Sequence, residues 1–589
     1  MARTLEDLRQ VWADDWPAAL QAWSRYVQLH EPIWCLDRKD EKRESLTGSF
    51  AMIRLLDHSV VISLRQVTEL GLQQFSKEIL AHEIGHHVYC PADLTDNARL
   101  LVRIRRGLPG KENYAPMISN LYADLLINDR LQRIESLDIA GVYLSLKGDT
   151  KSKLWLLYMR IYELLWSLAP QSLAKGDYDQ RLNQDAQLGA RLIRSYAKDW
   201  LGGGGRFACL CLPYVEEDDA EFQKKFQAWC DAIAAGNGSF PDGLSEVEDD
   251  ELDGTIHPAE DPDLSGINLD DLLGEGGSGR VASRNSGLKT HKSYRDPFEY
   301  AEVLKAAGVN LSDREIAARY YRERAIPYLI PFPTKSTPVA TDPMPEGLDV
   351  WDIADPIDQI DWLGTLLTSP IVIPGVTTRE RLVGYSPGSE PEKIPFDLYL
   401  GVDCSGSMRD PARTLSYPVL AGAIMILSAL RAGARVKVVL SGEPGKIVST
   451  DGFVRDPDIC LQTLTNYLGT GYAFGIHRLA ETFFPDNPPK RPVHVLIVSD
   501  NDMFRMLDEK GSGRLGWDVA RESLQTCQGG GTFVLQLPGY LESHRAGYSD
   551  PYVQSMRQDG WNVHTVNSLE ELIAFARQFS RASYHKVAR

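Results

Sequence analysis

The chain has 589 residues and a formal net charge of −18 at pH 7, with 43% hydrophobic and 24% charged residues. This length predicts about two to four domains, and the composition is typical of a soluble globular protein. The negative charge argues against nucleic-acid binding, and the lack of an apolar leader or spanning stretch predicts a cytoplasmic protein that contacts no membrane.

A helix with paired histidines is predicted near the N-terminus. Residues 49–70, SFAMIRLLDHSVVISLRQVTEL, are apolar and β-branched, which predicts strands with a turn at Asp57–His58. The next segment, EILAHEIGHHVYC, lies in a stretch from Leu72 to Tyr89 with helical periodicity. His82 and His86 stand four residues apart, so both imidazoles lie on one face, where they can share a metal ion.

A third zinc ligand is predicted on a second helix, because zinc needs a third protein ligand and an open position for water. In SNLYADLLINDRL, residues 119–131, three polar side chains recur every four residues on one face: Asn120, Asp124 and Asn128. We predict Asp124 as the ligand, with the two asparagines hydrogen-bonding to it or to a histidine. Asp129, one residue round the helix, remains the alternative ligand.

This arrangement resembles the zincin metallopeptidases. HEIGH supplies His-Glu-x-x-His after predicted strands, and Ala92 stands where a metzincin would carry a further histidine, so that subclass is excluded. The resemblance implies a gluzincin-like, mainly helical α+β domain over residues 1–235, with Asp124 as third ligand. It also implies hydrolysis of a protein or peptide substrate, with Glu83 as general base toward water activated by Zn²⁺. The alternative is a structural or vestigial zinc site.

A change of composition predicts a domain boundary after this region. Residues 246–275 contain twelve acidic residues and no Lys or Arg. Such a segment with few aromatic residues predicts an acidic disordered linker over residues 236–296. A basic cluster upstream, RIRRGLPGK around Arg103, Arg105 and Arg106, predicts a solvated loop.

A second candidate metal site lies in PFDLYLGVDCSGSMRD, residues 395–410. An apolar run ends on Asp403, and Ser405 and Ser407 follow at alternate positions. Downstream, YPVLAGAIMILSAL, residues 417–430, predicts a buried helix. A carboxylate and two hydroxyls between a strand and such a helix form a hard-oxygen site that suits Mg²⁺ in a doubly wound sheet.

The second site resembles the metal-ion-dependent adhesion site of von Willebrand factor type A (VWA) domains. The resemblance implies a Rossmann-like, doubly wound α/β domain over residues 393–589. It also implies two more ligands, which match Thr470 in YLGTGYAF and Asp500 in RPVHVLIVSD. Members of the family leave one coordination position open for an acidic residue of a partner. The alternative for Ser405, Ser407 and Thr470 is turn and helix-capping chemistry.

The order of the domains resembles bacterial VWA proteins with an N-terminal metallopeptidase-like domain, which are associated with MoxR-type AAA+ ATPases. The resemblance is most specific at HEIGH, NLYADLLIN and DCSGSM. Residues 297–392, with predicted helices and a short strand, would be a connector that packs on the VWA domain. No P-loop motif occurs, so an ATPase would be a separate partner. The resemblance implies a zinc metallopeptidase whose VWA domain recruits, through Mg²⁺, an ATPase or a substrate. The alternative is a non-catalytic adaptor that couples an AAA+ ATPase to client remodelling or metal insertion.

Overall fold

The computed structural model of the chain describes residues 4–46, 49–146, 152–217, 232–233, 241, 243–248, 251, 255–265, 293–336, 341–387, 393–442, 445–484, 489–500, 502–511, 513–536 and 551–585. The chain divides into unit 1, residues 1–323 with 412–414, and unit 2, residues 324–411 with 415–589. The prediction of a multidomain chain that mixes helices and strands is confirmed. Within the described ranges, no helix combines the length and apolar character needed to cross a bilayer.

Unit 1 is mainly helical and contains small sheets. Its helices are α1 (Leu5–Gln21), α2 (Arg38–Arg43), α3 (Leu64–Glu69), α4 (Ser76–Val88), α5 (Leu94–Arg106), α6 (Ala115–Arg133), α7 (Ile139–Leu146), α8 (Lys153–Leu165), α9 (Gln180–Ser195), α10 (Trp200–Glu217), α11 (Pro297–Ala306) and α12 (Asp313–Ala325). Its strands are β1 (Ile33–Cys35), β2 (Ala51–Arg54), β3 (Ser59–Ser63), β4 (Ala232–Ile233), β5 (Glu246–Val247) and β6 (Ser293–Tyr294). The last two residues of α12 belong to unit 2.

A four-stranded sheet precedes the helix with the paired histidines. Its strand order is β1-β3-β2-β4, and β2 pairs antiparallel with β3 across the predicted turn at Asp57–His58. The predicted strand character ends at Ser63, because its hydroxyl accepts a hydrogen bond from the N–H of Gln66 and so caps α3. Helix α4 then begins at Ser76, four residues later than the periodicity predicted.

Close packing around Gly85 brings α4 against α6. A Cβ atom on Gly85 would lie 2.6 Å from Ile127 of α6 and 2.6 Å from the indole of Trp23. That indole is fixed in place because its N–H donates to the carbonyl of Ala81 at 2.7 Å. A glycine at this position therefore permits the close approach of the helix that carries the histidines to the helix that carries Asp124.

The predicted acidic linker is ordered where the structure describes it. Residues 243–248, 251 and 255–265 pack within unit 1, and the basic cluster predicted as a solvated loop mostly forms the last turn of α5. Disorder is a wrong prediction for these residues, because the composition of the segment does not show that arginines neutralise its acidic side chains. Residues 266–292 of the predicted linker lie outside the described part of the chain. Two ion pairs connect the segment to the helices of unit 1, Arg103–Glu248 (2.6 Å) and Arg206–Asp261 (2.6 Å), and a third, Arg295–Glu251 (2.5 Å), lies within it.

Unit 2 contains most of the strands. These are β7 (Thr334–Ser336), β8 (Thr341–Val350), β9 (Arg379–Pro387), β10 (Lys393–Pro395), β11 (Asp397–Asp403), β12 (Val436–Ser441), β13 (Ile447–Ser449), β14 (Val493–Asp500), β15 (Lys510–Gly511), β16 (Arg514–Leu515), β17 (Gln528–Gln536) and β18 (Asn562–Thr565). Its helices are α13 (Trp362–Thr368), α14 (Tyr417–Arg431), α15 (Pro457–Leu464), α16 (Arg478–Phe483), α17 (Met503–Asp508), α18 (Gly516–Cys527), α19 (Pro551–Gln558) and α20 (Leu569–His585).

A six-stranded mixed sheet organises unit 2. The strand order is β13-β12-β11-β14-β17-β18, in which β13 runs antiparallel to β12 and the other neighbours pair in parallel. Every residue of β11 and β14 is buried, so both faces of the sheet centre are covered. The strand order reverses at β11, because β12 follows on one side of it and β14 on the other. In open α/β sheets, ligands bind outside the carboxyl ends of strands at such a point.

Residues 341–387 form an arm of unit 2, built from β8, α13 and β9. The helices and short strand predicted for residues 297–392 are present as α11, α12, α13 and β7. The prediction missed β8 and β9, which are strands of ten and nine residues that pair antiparallel. The two prolines of β8, Pro343 and Pro345, are tolerated because a two-stranded ribbon leaves edge positions without a ladder partner. Residues 297–323 of the predicted connector belong to unit 1 and residues 324–392 to unit 2.

Candidate metal centres

His82 and His86 of α4 converge with Asp124 of α6. Nε2 of His86 lies 3.4 Å and Nε2 of His82 lies 3.6 Å from Oδ1 of Asp124. The ligand atoms of all three residues lie within 4.8 Å of one another. Two atoms that are each about 2.1 Å from one tetrahedral zinc ion are about 3.4 Å apart. The spacing of these three side chains therefore fits one zinc ion.

Hydrogen bonds on the far side of each ring orient the two histidines. Nδ1 of His82 lies 2.8 Å from Oδ1 of Asn128, and Nδ1 of His86 lies 3.1 Å from the backbone carbonyl of Cys90. Asn128 is itself fixed, because its amide nitrogen donates to the hydroxyl of Tyr162 at 2.8 Å. Since both acceptors are carbonyl oxygens, each Nδ1 carries the proton and each Nε2 keeps its lone pair. A neutral imidazole in this tautomer is a metal ligand.

The carboxylate of Asp124 is oriented in the same way. The amide nitrogen of Asn120 donates to Oδ2 of Asp124 at 3.0 Å, which leaves Oδ1 on the side of the imidazoles. Oδ1 of Asp124 and Nε2 of His86 are buried, and neither has a hydrogen-bond partner among the described residues. Buried lone pairs without a donor are costly, and a cation between them removes that cost. The residues present thus fit a zinc ion.

The alternative ligand Asp129 lies elsewhere. Its Oδ1 accepts from Nη2 of Arg194 at 2.9 Å, and Arg133 lies 3.7 Å from its other oxygen. Burial nevertheless raises the pKa of Asp129. The structure brings Asp124, and not Asp129, to the two histidines.

A cavity of about 280 Å³ adjoins this centre. His82, Glu83 and Asp124 all line it, and Glu83 is only 1% exposed. The candidate proton acceptor and two of the three candidate ligands therefore border one space. A site with three protein ligands beside an open space has room for water and a substrate group.

A second centre lies at the carboxyl ends of β11 and β14. Oδ1 of Asp403 accepts from the N–H of Ser405 at 2.8 Å, and the hydroxyls of Ser405 and Ser407 are 2.9 Å apart. Ser405 also pairs with Thr470 in a short parallel bridge, and Asp500 ends the neighbouring strand. The five predicted oxygen ligands thus occupy one edge of the sheet, where the strand order reverses.

Asp403 carries a buried negative charge at this edge. The pKa of Asp403 is raised to about 6, mainly by burial and to a smaller extent by the nearby Asp500, although hydrogen bonds from Ser499 and Ser405 lower it. The hydroxyl of Ser499 donates to Oδ2 of Asp403 at 2.6 Å. Among the described residues, neither aspartate forms an ion pair with Lys or Arg. Carboxylate and hydroxyl oxygens with uncompensated charge fit Mg²⁺.

No family model, curated protein or solved structure matches the chain. The chemistry of the two centres is therefore inferred from their own residues.

Sequence reasoning missed three groups that orient the candidate ligands. Two of them, the carbonyl of Cys90 and the hydroxyl of Tyr162, could not be predicted, because a backbone acceptor has no sequence signature and Tyr162 lies 34 residues from Asn128. The third, Ser499, had a usable signal. It is a polar residue within an apolar strand, directly before a strand-terminal aspartate.

Proposed function

We propose that the chain is a zinc-dependent metallopeptidase-like protein. One observation carries this proposal: Nε2 of His86 and Oδ1 of Asp124, both buried and without a hydrogen-bond partner among the described residues, lie 3.4 Å apart beside a cavity. Structural zinc sites are closed by four protein ligands, whereas catalytic sites have three and keep a position open. The three-residue set next to the cavity favours a catalytic site.

The residues around the cavity have separate tasks in this proposal. Zinc, when bound, would polarise a water molecule and the substrate carbonyl. Glu83 accepts a proton from the attacking water as the new C–O bond forms. Glu83 then returns that proton to the leaving amine as the C–N bond breaks, so the carboxylate is regenerated. Asn120 and Asn128 keep Asp124 and His82 in position throughout.

Unit 2 would recruit the partner. In this proposal it is a VWA domain, in which Asp403, Ser405, Ser407, Thr470 and Asp500 would hold Mg²⁺. The ion would then bind a carboxylate of a MoxR-type AAA+ ATPase or of a substrate. Two observations support this role. The site lies where the strand order reverses, and its donors are all hard oxygen atoms that suit Mg²⁺.

Metal analysis tests the first centre. Purified wild type should contain about one zinc per chain, because the three residues form a single set of ligands. His82→Ala and Asp124→Ala should lose it, whereas His87→Ala, which removes the neighbouring histidine outside the set, should retain it. Absence of zinc from the wild type after growth with added zinc would contradict the proposal.

Glu83→Gln tests catalysis separately from binding. The substitution should leave the zinc content unchanged and lower cleavage of a peptide library by about 10²–10⁴-fold, as expected for loss of a general base. Equal cleavage by the wild type and Glu83→Gln would show that Glu83 is not the base.

The adaptor alternative is favoured by the many large apolar side chains that the arm, residues 341–387, exposes to solvent. Large exposed apolar patches on a soluble protein mark interaction sites. The arm also carries eight acidic and two basic residues, so two copies of it would repel each other, while an apolar surface rimmed by Lys and Arg would complement it. Sixteen of the exposed large hydrophobic side chains in the described chain lie on it: Met344, Leu348, Val350, Ile353, Ile357, Trp362, Leu363, Leu366, Leu367, Ile371, Val372, Ile373, Val376, Leu382, Val383 and Tyr385.

Binding to a purified MoxR-type ATPase tests this alternative. The double variant Leu363→Ser/Leu367→Ser should keep the thermal unfolding midpoint of the wild type, because the two side chains are 67% and 80% exposed. In calorimetric titration it should bind the ATPase more weakly, as should Asp403→Ala, whereas His82→Ala should bind normally. If both arm and Asp403 variants bind like the wild type, neither surface recruits the ATPase.

A further inference from the structure

The cavity beside His82 has an apolar wall. Ile79, Ile139, Val142 and Trp155 contribute to it, from helices α4, α7 and α8. Its volume of about 280 Å³ is roughly twice that of an apolar cavity of about 150 Å³ that holds benzene. The space therefore has room for one large apolar side chain with adjoining backbone, and not for a folded protein surface.

The charge that borders this cavity is negative. The described lining includes no Lys or Arg, but it includes four carboxylates: Glu69, Glu78, Glu83 and Asp124. Glu83 and Asp124 belong to the zinc centre. Arg65 neutralises Glu69, because its Nη1 lies 2.6 and 2.7 Å from the two carboxylate oxygens.

Glu78 is the lining carboxylate that remains. It accepts a backbone hydrogen bond from Asp138 at 3.3 Å, and it pairs with no Lys or Arg among the described residues. It also precedes His82 by four residues in α4, so the two side chains lie on one face, about 6 Å apart. An extended peptide advances about 3.4 Å per residue, so a group bound at Glu78 is about two residues from one bound at His82.

We infer that this cavity selects peptides in which a cationic amine lies within about two residues of a large apolar side chain. The apolar side chain fills the cavity and the amine pairs with Glu78. The amine is either the α-amino group at a peptide end or the side chain of an internal lysine, since both present the same ammonium group. This inference rests on the proposed peptidase function and adds its substrate class.

Binding to the zinc-free full-length protein tests the inference without hydrolysis. The probe is Leu-Gly-Ser-Gly with a dye at its C-terminus, measured by fluorescence anisotropy. Its N-acetylated form removes the charge, N-acetyl-Lys-Leu-Gly-Ser-Gly restores it on a side chain, and N-acetyl-Glu-Leu-Gly-Ser-Gly reverses it. The free-amine and lysine peptides should bind about fivefold more tightly than the acetylated one, as expected for one partly exposed ion pair, and the glutamate peptide should bind most weakly.

Two variants distinguish the effect of Glu78 on peptide binding from the effect of the net negative charge of the chain. Glu78→Gln should remove the preference for cationic peptides, whereas Glu135→Gln, a substitution outside the cavity lining, should retain it. A preference confined to the free-amine peptide assigns the site to peptide ends, and one shared by the lysine peptide extends it to internal positions. Equal binding of the acetylated, cationic and glutamate peptides by the wild type would overturn the inference.

Hydrolysis by the zinc-loaded protein distinguishes this inference from the function on which it rests. Cleavage of all four peptides with equal kcat/KM would overturn the preference and leave the peptidase function in place. The binding preference without any cleavage, in the presence of zinc, would overturn the peptidase function and identify the cavity as a binding site for cationic apolar peptides.

Discussion

The side-chain oxygen of Asn128 lies 2.8 Å from Nδ1 of His82. One ring carbon separates this nitrogen from Nε2, the atom proposed to bind the metal. His86 is oriented by the carbonyl of Cys90 instead, which no side-chain substitution removes. A substitution can therefore remove the hydrogen bond that orients His82 but not the one that orients His86. Only the orientation of His82 depends on a side chain, and that side chain is itself held by Tyr162 and Tyr143.

Asn128→Ala should weaken zinc binding by about 10–100-fold, because His82 would lose the acceptor that fixes its tautomer and ring angle. Competition with a chromogenic chelator measures the affinity. Asn183→Ala is the matched control, since the side chain of Asn183 also forms hydrogen bonds in unit 1, with Arg160 and with the backbone carbonyls of Tyr178 and Asp179. An unchanged affinity in Asn128→Ala would show that the hydrogen bond to His82 does not contribute.

Gly85→Ala should destabilise unit 1 by about 1–3 kcal/mol, because the new methyl group overpacks the contact between α4 and α6. The added Cβ would lie 2.6 Å from both Ile127 and Trp23, and α4 would have to move. Thermal unfolding measures the loss, with Gly471→Ala as control because its Cβ would meet no atom within 4 Å. Equal losses in the two variants would contradict the packing argument.

Glu251→Ala should destabilise the protein by about 3–5 kcal/mol, as expected when one partner of a buried ion pair is removed. Glu251 and Arg295 are both almost fully buried and lie 2.5 Å apart, so the substitution leaves the guanidinium without its carboxylate. The double variant Glu251→Leu/Arg295→Leu should recover much of the loss. Urea unfolding of the single and double variants checks this, and a loss below about 0.5 kcal/mol, typical of surface sites, would show that the acidic segment is not held by this pair.

The two helices of the zinc centre could be predicted from the sequence, because the polar side chains on each of them recur at helical spacing. His82 and His86 are one turn apart, and Asp124 is flanked by asparagines at the same helical spacing, so each helix could be predicted from its own residues. What brings the two helices together is Gly85, and its contact with Ile127 spans 42 positions of the chain. No periodicity within either helix shows that contact.

The acidic segment failed as a prediction for a different reason. Its charge density favours disorder when the segment is considered alone. In the structure, its carboxylates pair with arginines of α5 and α10, which lie up to 145 positions away, and with Arg295, which precedes α11. Composition within a window does not include partners outside it, so the ordered packing of Glu248, Glu251 and Asp261 could not be predicted from the segment itself.

Asp403 should make the stability of unit 2 depend on pH when a chelator removes divalent ions. Burial raises its folded-state pKa to about 6, whereas an unfolded aspartate titrates near its ordinary value of 3.8. As the pH falls below about 6, the folded state binds a proton that the unfolded state does not yet bind, so this group adds stability. The added stability is complete below about pH 4, is lost as the pH rises through about 6, and amounts to about 3 kcal/mol for a shift of about two pKa units.

Asp403→Asn isolates this contribution, because the amide keeps the shape of the side chain and does not titrate. In urea unfolding with chelator at pH 4 to 7, the difference in unfolding free energy between the wild type and Asp403→Asn should change in favour of the wild type as the pH falls. Asp451→Asn, an exposed aspartate of unit 2, is the control and should run parallel to the wild type. Parallel curves for Asp403→Asn would mean that Asp403 is already compensated in the folded protein, and the argument that a cation is needed at this edge of the sheet would then fail.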